Sequence, residues 1–274
     1  MVLSFHPLIK SDMNRLCAGR EPDPDDMAAI RRASAVILPQ GCPLGLYRAA
    51  RDNCPHVFPN YDARFEFPGK TGQIQLFRSI GAHHPRTELF ENTAAFYLLH
   101  GRRSGRRYPV VFKFDWGGEG ETVFLVPDAA AMEGLLQRAA AYERSGQSGF
   151  MLQEYVPCGG RSLRVAVIGQ RMISYWRVQA GGAFHTGISQ GGRVDSISDP
   201  DLRQRAEAAV FDFCSRTGIS LAGIDLLFDA DRPQSPPLLL EINYFFGRAG
   251  LGGSEAYYRV LRRETRRWLR SLPG

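Results

Sequence analysis

Three oxygen-bearing side chains near the C-terminal end, Asp225, Glu241 and Asn243, are set into apolar sequence. Leu238-Leu239-Leu240-Glu241-Ile242-Asn243 reads as a buried strand. Glu241 and Asn243 are two positions apart, so both side chains leave the same face. Upstream, Gly223-Ile224-Asp225-Leu226-Leu227-Phe228 is a second apolar strand with one acid in it. A carboxylate between Ile and Leu is costly to bury unless it is paired or bound to metal. Antiparallel pairing of these strands, joined through residues 229–237, places Asp225 near Glu241 and Asn243. Two carboxylates and an amide oxygen make a hard, all-oxygen set suited to Mg2+ or Mn2+. The same residues also fit polar strand ends bonded to local backbone, and the rest of the chain has to decide.

A second group lies further upstream. Lysine occurs only at positions 10, 70 and 113, so Lys113 at the end of Val-Val-Phe-Lys stands out, although a snorkelling strand-end residue is the plain alternative. Directly after it comes Phe114-Asp115-Trp116-Gly117-Gly118-Glu119-Gly120-Glu121, then an apolar strand. A turn with Gly117, Gly118 and Gly120 brings backbone N–H groups close to a phosphate because glycine has no Cβ. It lacks the helix that a dinucleotide-binding GxGxxG unit needs, which disfavours NAD binding. Gly69-Lys70-Thr71 resembles the end of a P-loop, but position 64 is Arg and no apolar strand runs into it. Glu154, at the end of an apolar strand before Pro157, is placed to accept a hydrogen bond from an exocyclic amine.

The elements that must carry these residues are legible. A β-α-β-α rhythm over residues 2–58 (strands near 2–5, 35–38 and 57–58, helices near 23–32 and 44–51) predicts a small open parallel sheet. Residues 59–69 read as a connector. Helices are expected over 70–80, 94–99, 128–144, 201–217 and 254–272. Strands are expected over 109–113, 122–126 and 150–156, with a hairpin from 164–168 to 172–178.

Composition bounds the reading. At 274 residues, 44% hydrophobic and 23% charged, the chain is globular and large enough for two or three subdomains. No apolar run approaches a membrane span, and the first residues are too soon broken by Pro7 for a signal peptide. The five cysteines are scattered with no CxxC pair, which argues for reduced thiols in a cytoplasm. The net charge of +6 is almost all arginine and suits an acidic ligand. The densest basic run, residues 102–107, has no interleaved aromatics and reads as a loop rather than a nucleic-acid site.

The order is strand-Lys, Gly-rich hairpin, helix, strand-Gln-Glu, Arg-bearing hairpin, helix, strand-Asp, strand-Glu-x-Asn. It resembles the ATP-grasp superfamily, in its RimK-like and glutathione-synthetase-like branch, over about residues 70–256. The resemblance implies an α/β chain, α+β in its C-terminal part. Residues 1–69 would form a small Rossmann-like pre-ATP-grasp subdomain. Residues 70–156 would form an ATP-grasp subdomain with the Gly-rich hairpin, and 157–274 a second one with the metal site. It implies that Lys113 and Lys70 reach the nucleotide and that the Gly117–Gly120 loop closes over the phosphates. Gln153 and Glu154 would lie along the adenine, with Tyr155 and Val156 completing the hinge. Arg164 and Arg177 would face the phosphates or the reacting carboxylate. Asp225, Glu241 and Asn243 would hold two Mg2+ ions, Mn2+ being an alternative.

Three departures stand out. Ser162, a weaker ribose partner, occupies the place of an Asp that helps hold the nucleotide. His185-Thr186-Gly187 replaces an Arg-x-Asn ahead of Gly191-Gly192, and Tyr244-Phe245-Phe246-Gly247-Arg248 replaces a Ser-Pro-Gly turn after Asn243. The implied activity is Mg-dependent ligation of a small-molecule or peptide carboxylate to an amine, through an acyl phosphate. No nucleic-acid or membrane partner is implied, and a homo-oligomer is left open. A small-molecule kinase and a non-catalytic nucleotide-binding regulator remain the alternatives. The substrate is not named by the sequence; His6, Arg15 and Arg20 are N-terminal candidates for holding it.

Overall fold

The computed structural model describes residues 1–101, 107–118, 120–179, 184 and 191–273. The chain begins with β1 (Val2–Ser4), β2 (Met13–Asn14), α1 (Pro24–Arg32), β3 (Ala35–Ile37), α2 (Leu44–Asn53) and β4 (Val57–Phe58). These strands form the expected parallel sheet, in the order β2-β1-β3-β4. Helix α1 starts where its sequence dictates: Asp23 accepts from the Asp26 N–H, Asp26 answers in a capping box, and Pro24 is pre-set for the first turn. Strand β2 was not foreseen, because two residues carry no readable periodicity. The connector also contains a short helix, α3 (Asp62–Glu66).

Next come α4 (Gly69–Ser79), β5 (Thr87–Phe90), α5 (Thr93–His100), β6 (Val110–Phe114), β7 (Val123–Val126), α6 (Ala129–Arg144) and β8 (Phe150–Glu154). The antiparallel sheet runs β5-β8-β6-β7. Phe112, Phe114, Phe150 and Leu152 pack with Phe96 of α5 and with Met132, Leu135 and Leu136 of α6. Phe112 and Phe150 stack at 4.8 Å. Alternation therefore turns Val111, Lys113, Met151 and Gln153 to the opposite face. Strand β5 was unforeseen; it is a four-residue edge strand without an alternating pattern.

The last part holds β9 (Arg161–Ile168), β10 (Arg171–Val178), β11 (Arg193–Asp195), α7 (Pro200–Thr217), β12 (Leu221–Leu227), β13 (Leu238–Asn243) and α8 (Gly253–Ser271), with a 3-10 turn at Ala249–Leu251. Its antiparallel sheet runs β11-β10-β9-β12-β13. One face packs Leu163, Val165, Ile224 and Leu226 against Val210 and Phe213 of α7 and against Ile74 and Phe77 of α4. The other face packs Ala166, Ile168 and Tyr175 against Tyr257 and Leu261 of α8 and against Ile37 and Phe58 of the N-terminal sheet. Helix α4 also secures β13. Gln73 donates to the Ile242 carbonyl at 3.0 Å and accepts from its N–H at 2.7 Å. No helix among the described residues is long and apolar enough to cross a membrane.

Candidate active site

The five-stranded sheet carries a row of functional side chains. Tyr175 on β10, Arg164 on β9, Asp225 on β12 and Glu241 on β13 are direct cross-strand partners. Gly223 on β12 pairs with Asn243, so Asn243 lies on the same face. A β-bulge sits beside Glu241: Asp225 pairs with Glu241 but Leu226 with Leu239, which leaves Leu240 as the extra residue. The bulge lets Leu239 enter the α7-side core while Glu241 keeps the opposite face.

Asp225 is 2% exposed and is held by two arginines. Arg164 donates from Nε to Oδ1 and from Nη2 to Oδ2, both at 2.7 Å. Arg177 Nη2 lies 2.9 Å from Oδ2, and Asn243 Nδ2 donates to the same oxygen at 3.1 Å. Burial alone would raise the Asp225 carboxyl, but the charges and hydrogen bonds of Arg164 and Arg177 outweigh it and hold it below the usual carboxylate range. Arg177 also donates to Ser162 Oγ at 2.9 Å, so the serine in the place of the family's acid serves as an arginine acceptor.

Lys113 reaches this region from the other sheet. It is 7% exposed and has no hydrogen-bond or ion-pair partner among the described residues. Burial lowers it to about 8, with Glu241 opposing and Lys70 adding to that shift. Glu241 is half-buried and its carboxylate likewise has no hydrogen-bond partner among the described residues. A desolvated ammonium and an unengaged carboxylate thus come within electrostatic reach from two different sheets.

The Gly-rich hairpin is tied to the start of α4. Lys70 Nζ donates to the Trp116 and Gly117 carbonyls, both at 2.9 Å. Asp115 accepts from the Thr71 N–H at 2.7 Å, capping a helix whose own N-cap, Pro68, offers no side chain. Gly117 has φ +79°, and an added Cβ would lie 2.5 Å from Thr122 Cγ2. Gly120 also has positive φ, at +84°. Sequence reasoning did not single out Asp115 or Tyr175. Asp115 reads there as an ordinary turn residue, and Tyr175 as one core aromatic among many.

Gln153 is buried and donates to Thr87 Oγ1 at 2.9 Å. Glu154 is exposed and accepts from the Arg86 N–H at 2.9 Å. Tyr155 and buried Val156 follow the end of β8, which stops at Glu154 and not at 156. Gly118 lies in the turn of the hairpin. Glu119, His185, Thr186, Gly187 and residues 102–106 lie outside the described residues. All five cysteines are free thiols.

For a hard cation the donor set fits in part. Asp225 Oδ2 already takes contacts from three donors, so Asp225 is engaged by guanidinium in this arrangement. Glu241 is open, and Asn243 turns its amide N–H to Asp225, which leaves its Oδ1 free to ligate. Among the described residues no group of three or more His, Cys, Asp or Glu side chains is placed to hold a metal ion.

This fold is the ATP-grasp fold. The structure is similar to a RimK-domain ATP-grasp protein from Sphaerobacter thermophilus, with TM-score 0.65 and 15% identity, covering 96% of this chain and 98% of that one. It is also similar to a D-cycloserine synthetase, with TM-score 0.60 and 17% identity, covering 96% and 97% of the two chains. A model of the RimK-like ATP-grasp domain matches residues 74–259, and the chain belongs to that family. It is 31% identical over 146 residues to a probable alpha-L-glutamate ligase of Alkalilimnicola ehrlichii; the match takes in 52% of this chain and 44% of that relative's length.

Proposed function

We propose that this chain is an ATP-dependent carboxylate–amine ligase working through an acyl phosphate. The observation that carries the reading is the juxtaposition of Lys113, desolvated and unpartnered, with the Glu241, Asn243, Arg164 and Arg177 face of the second sheet. ATP lies between the sheet of segment 70–156 and that of segment 157–274. Lys113 meets a phosphate, and the backbone of Gly117, Gly118 and Gly120 covers the phosphates and excludes water that would hydrolyse an acyl phosphate. Lys70 fixes the hairpin through two carbonyls and contributes its charge to the same space. Gln153, Glu154, Tyr155 and Val156 border the adenine, with Ser162 orienting Arg177.

Glu241 and Asn243 would hold Mg2+, with Asp225 joining once an anionic substrate draws the arginines away; the ion supplies charge neutralisation as the γ-phosphoryl moves. Arg164 and Arg177 are forks suited to carboxylate or phosphate oxygens. Loss of one such preorganised donor typically costs about 3–4 kcal/mol in the transition state. The relative's name supports an amino-acid or peptide substrate, and the reduced thiols support a cytoplasmic setting.

The test is incubation with Mg-ATP and a panel of amino acids and dipeptides, with and without hydroxylamine. Acid-dependent ADP release with hydroxamate formation supports the ligase. A stable phosphorylated alcohol indicates a kinase, and nucleotide binding without ADP release indicates a regulator.

A further inference from the structure

Three donors, His6, Arg248 and Arg262, collect where the N-terminal sheet meets the chain after Asn243, and the proposed ATP and metal chemistry uses none of them. His6 follows β1 and is 6% exposed. Its Nδ1 accepts from the Leu8 and Ile9 N–H groups, at 3.0 and 3.2 Å. Both bonds need a bare Nδ1, so the ring proton sits on Nε2, which has no partner among the described residues. Burial, then Arg248 and Arg262, lower His6 to about 4, so the ring is a neutral N–H donor at pH 7.

Arg248 shares a ring with it. The His6 ring meets Tyr258 edge-on at 5.9 Å, and the Arg248 guanidinium lies 4.6 Å from the same Tyr258 centroid. The hydrogen bonds of Arg248 and Arg262 are long: Arg248 to Ser254 Oγ and Arg262 to the Leu8 carbonyl, each at 3.3 Å. Neither arginine has an ion-pair partner among the described residues, whereas Arg259, on the helix that carries Arg262, pairs with Glu255 at 2.7 Å. Phe245, three residues before Arg248, is 75% exposed and stands against Gly41. The cluster adjoins the catalytic row, since Gly250 lies against the Tyr175 ring that pairs opposite Arg164.

We propose that His6 Nε2 and Arg248 form a carboxylate anchor for the substrate, holding a carboxylate that does not react, with Arg262 adding charge and Phe245 an apolar wall. The pairing is a neutral N–H and a fork-shaped cation against one aromatic ring, which suits a planar anion. This rests on the ligase reading, because the bound acid must lie beside the phosphoryl site for the anchor to serve turnover.

The experiment is a thermal-shift titration in saturating Mg-ADP, using L-glutamate, L-aspartate and D-alanine with the matching carboxamides. Proteins compared are wild type, Arg248→Gln, Arg248→Lys, His6→Asn and Arg259→Gln. His6→Asn keeps an oxygen acceptor for the turn and removes Nε2; the half-exposed Arg248→Gln leaves the core untouched. At least one acid is expected to bind wild type better than its amide. Its Kd should rise about tenfold or more in Arg248→Gln and His6→Asn, less in Arg248→Lys, and not in Arg259→Gln, with Mg-ADP affinity unchanged throughout. Equal acid affinity in wild type, Arg248→Gln and His6→Asn overturns the anchor, as does a wild type that binds Mg-ADP but prefers no acid over its amide. A wild type that does not bind Mg-ADP overturns the ligase reading and the anchor with it.

Discussion

Arg164 grips Asp225 at both carboxylate oxygens, two bonds of 2.7 Å between strands that are direct neighbours in the sheet. Removing the acid leaves two guanidiniums, Arg164 and Arg177, in a site that is nearly dry. Asp225→Leu is therefore expected to cost about 3–5 kcal/mol, as broken buried pairs do. A melting temperature within a few degrees of wild type would show that the pair is not structural. The pH sign follows from the lowered Asp225 carboxyl. Its stabilisation is fully present above the unfolded carboxylate value, near 4, and is lost as pH falls through the still lower folded value. Acid titration of unfolding in wild type and Asp225→Asn measures it.

Lys113 carries the opposite sign. Its folded value of about 8 lies below the unfolded lysine value of about 10.4. The folded state binds fewer protons between those limits, so ligand-free protein gains stability as pH rises from about 8 to about 10. Lys113→Met should remove that rise and be more stable than wild type at pH 7. Denaturant midpoints at pH 7, 8.5 and 10 check this. The same variant should bind ATP about ten- to a hundredfold more weakly, since a charge-assisted contact is worth about 1.5–3 kcal/mol.

Glu241→Gln keeps shape and removes the charge that attracts a divalent cation. We expect acid-dependent ADP release to be abolished with the fold retained. A stable Glu241→Gln protein with full turnover would defeat the metal assignment.

Gly117→Ala places a methyl against Thr122 at a φ that side chains rarely adopt. It should loosen the hairpin and the Lys70 contacts to the Trp116 and Gly117 carbonyls. The expected result is a raised KM for ATP with a small change in melting temperature. Gly118→Ala, where an added Cβ meets nothing within 4 Å, is the matched control. Wild-type ATP kinetics in Gly117→Ala would remove the hairpin from nucleotide closure.

Much of this protein is set by local sequence. Capping residues place the starts of α1 and α6, the latter through Asp128, and apolar runs mark β6, β8, β9 and β12 as buried strands. The two-residue spacing of Glu241 and Asn243 puts them on one face without help from the rest of the chain. Short edge elements such as β2 and β5 were silent, because two to four residues carry no period and their pairing comes from the neighbouring strand. What only the tertiary structure decided is which charges meet. Asp225 lies 61 positions from Arg164, and their pairing depends on β12 settling beside β9. Lys113 comes within electrostatic reach of Glu241 only because strands of two separate sheets bring them there, while Lys70, identical in type, ends on two backbone carbonyls. Period assigns a side chain to a face, but the partner of a buried charge follows from strand order and register, which long-range packing selects.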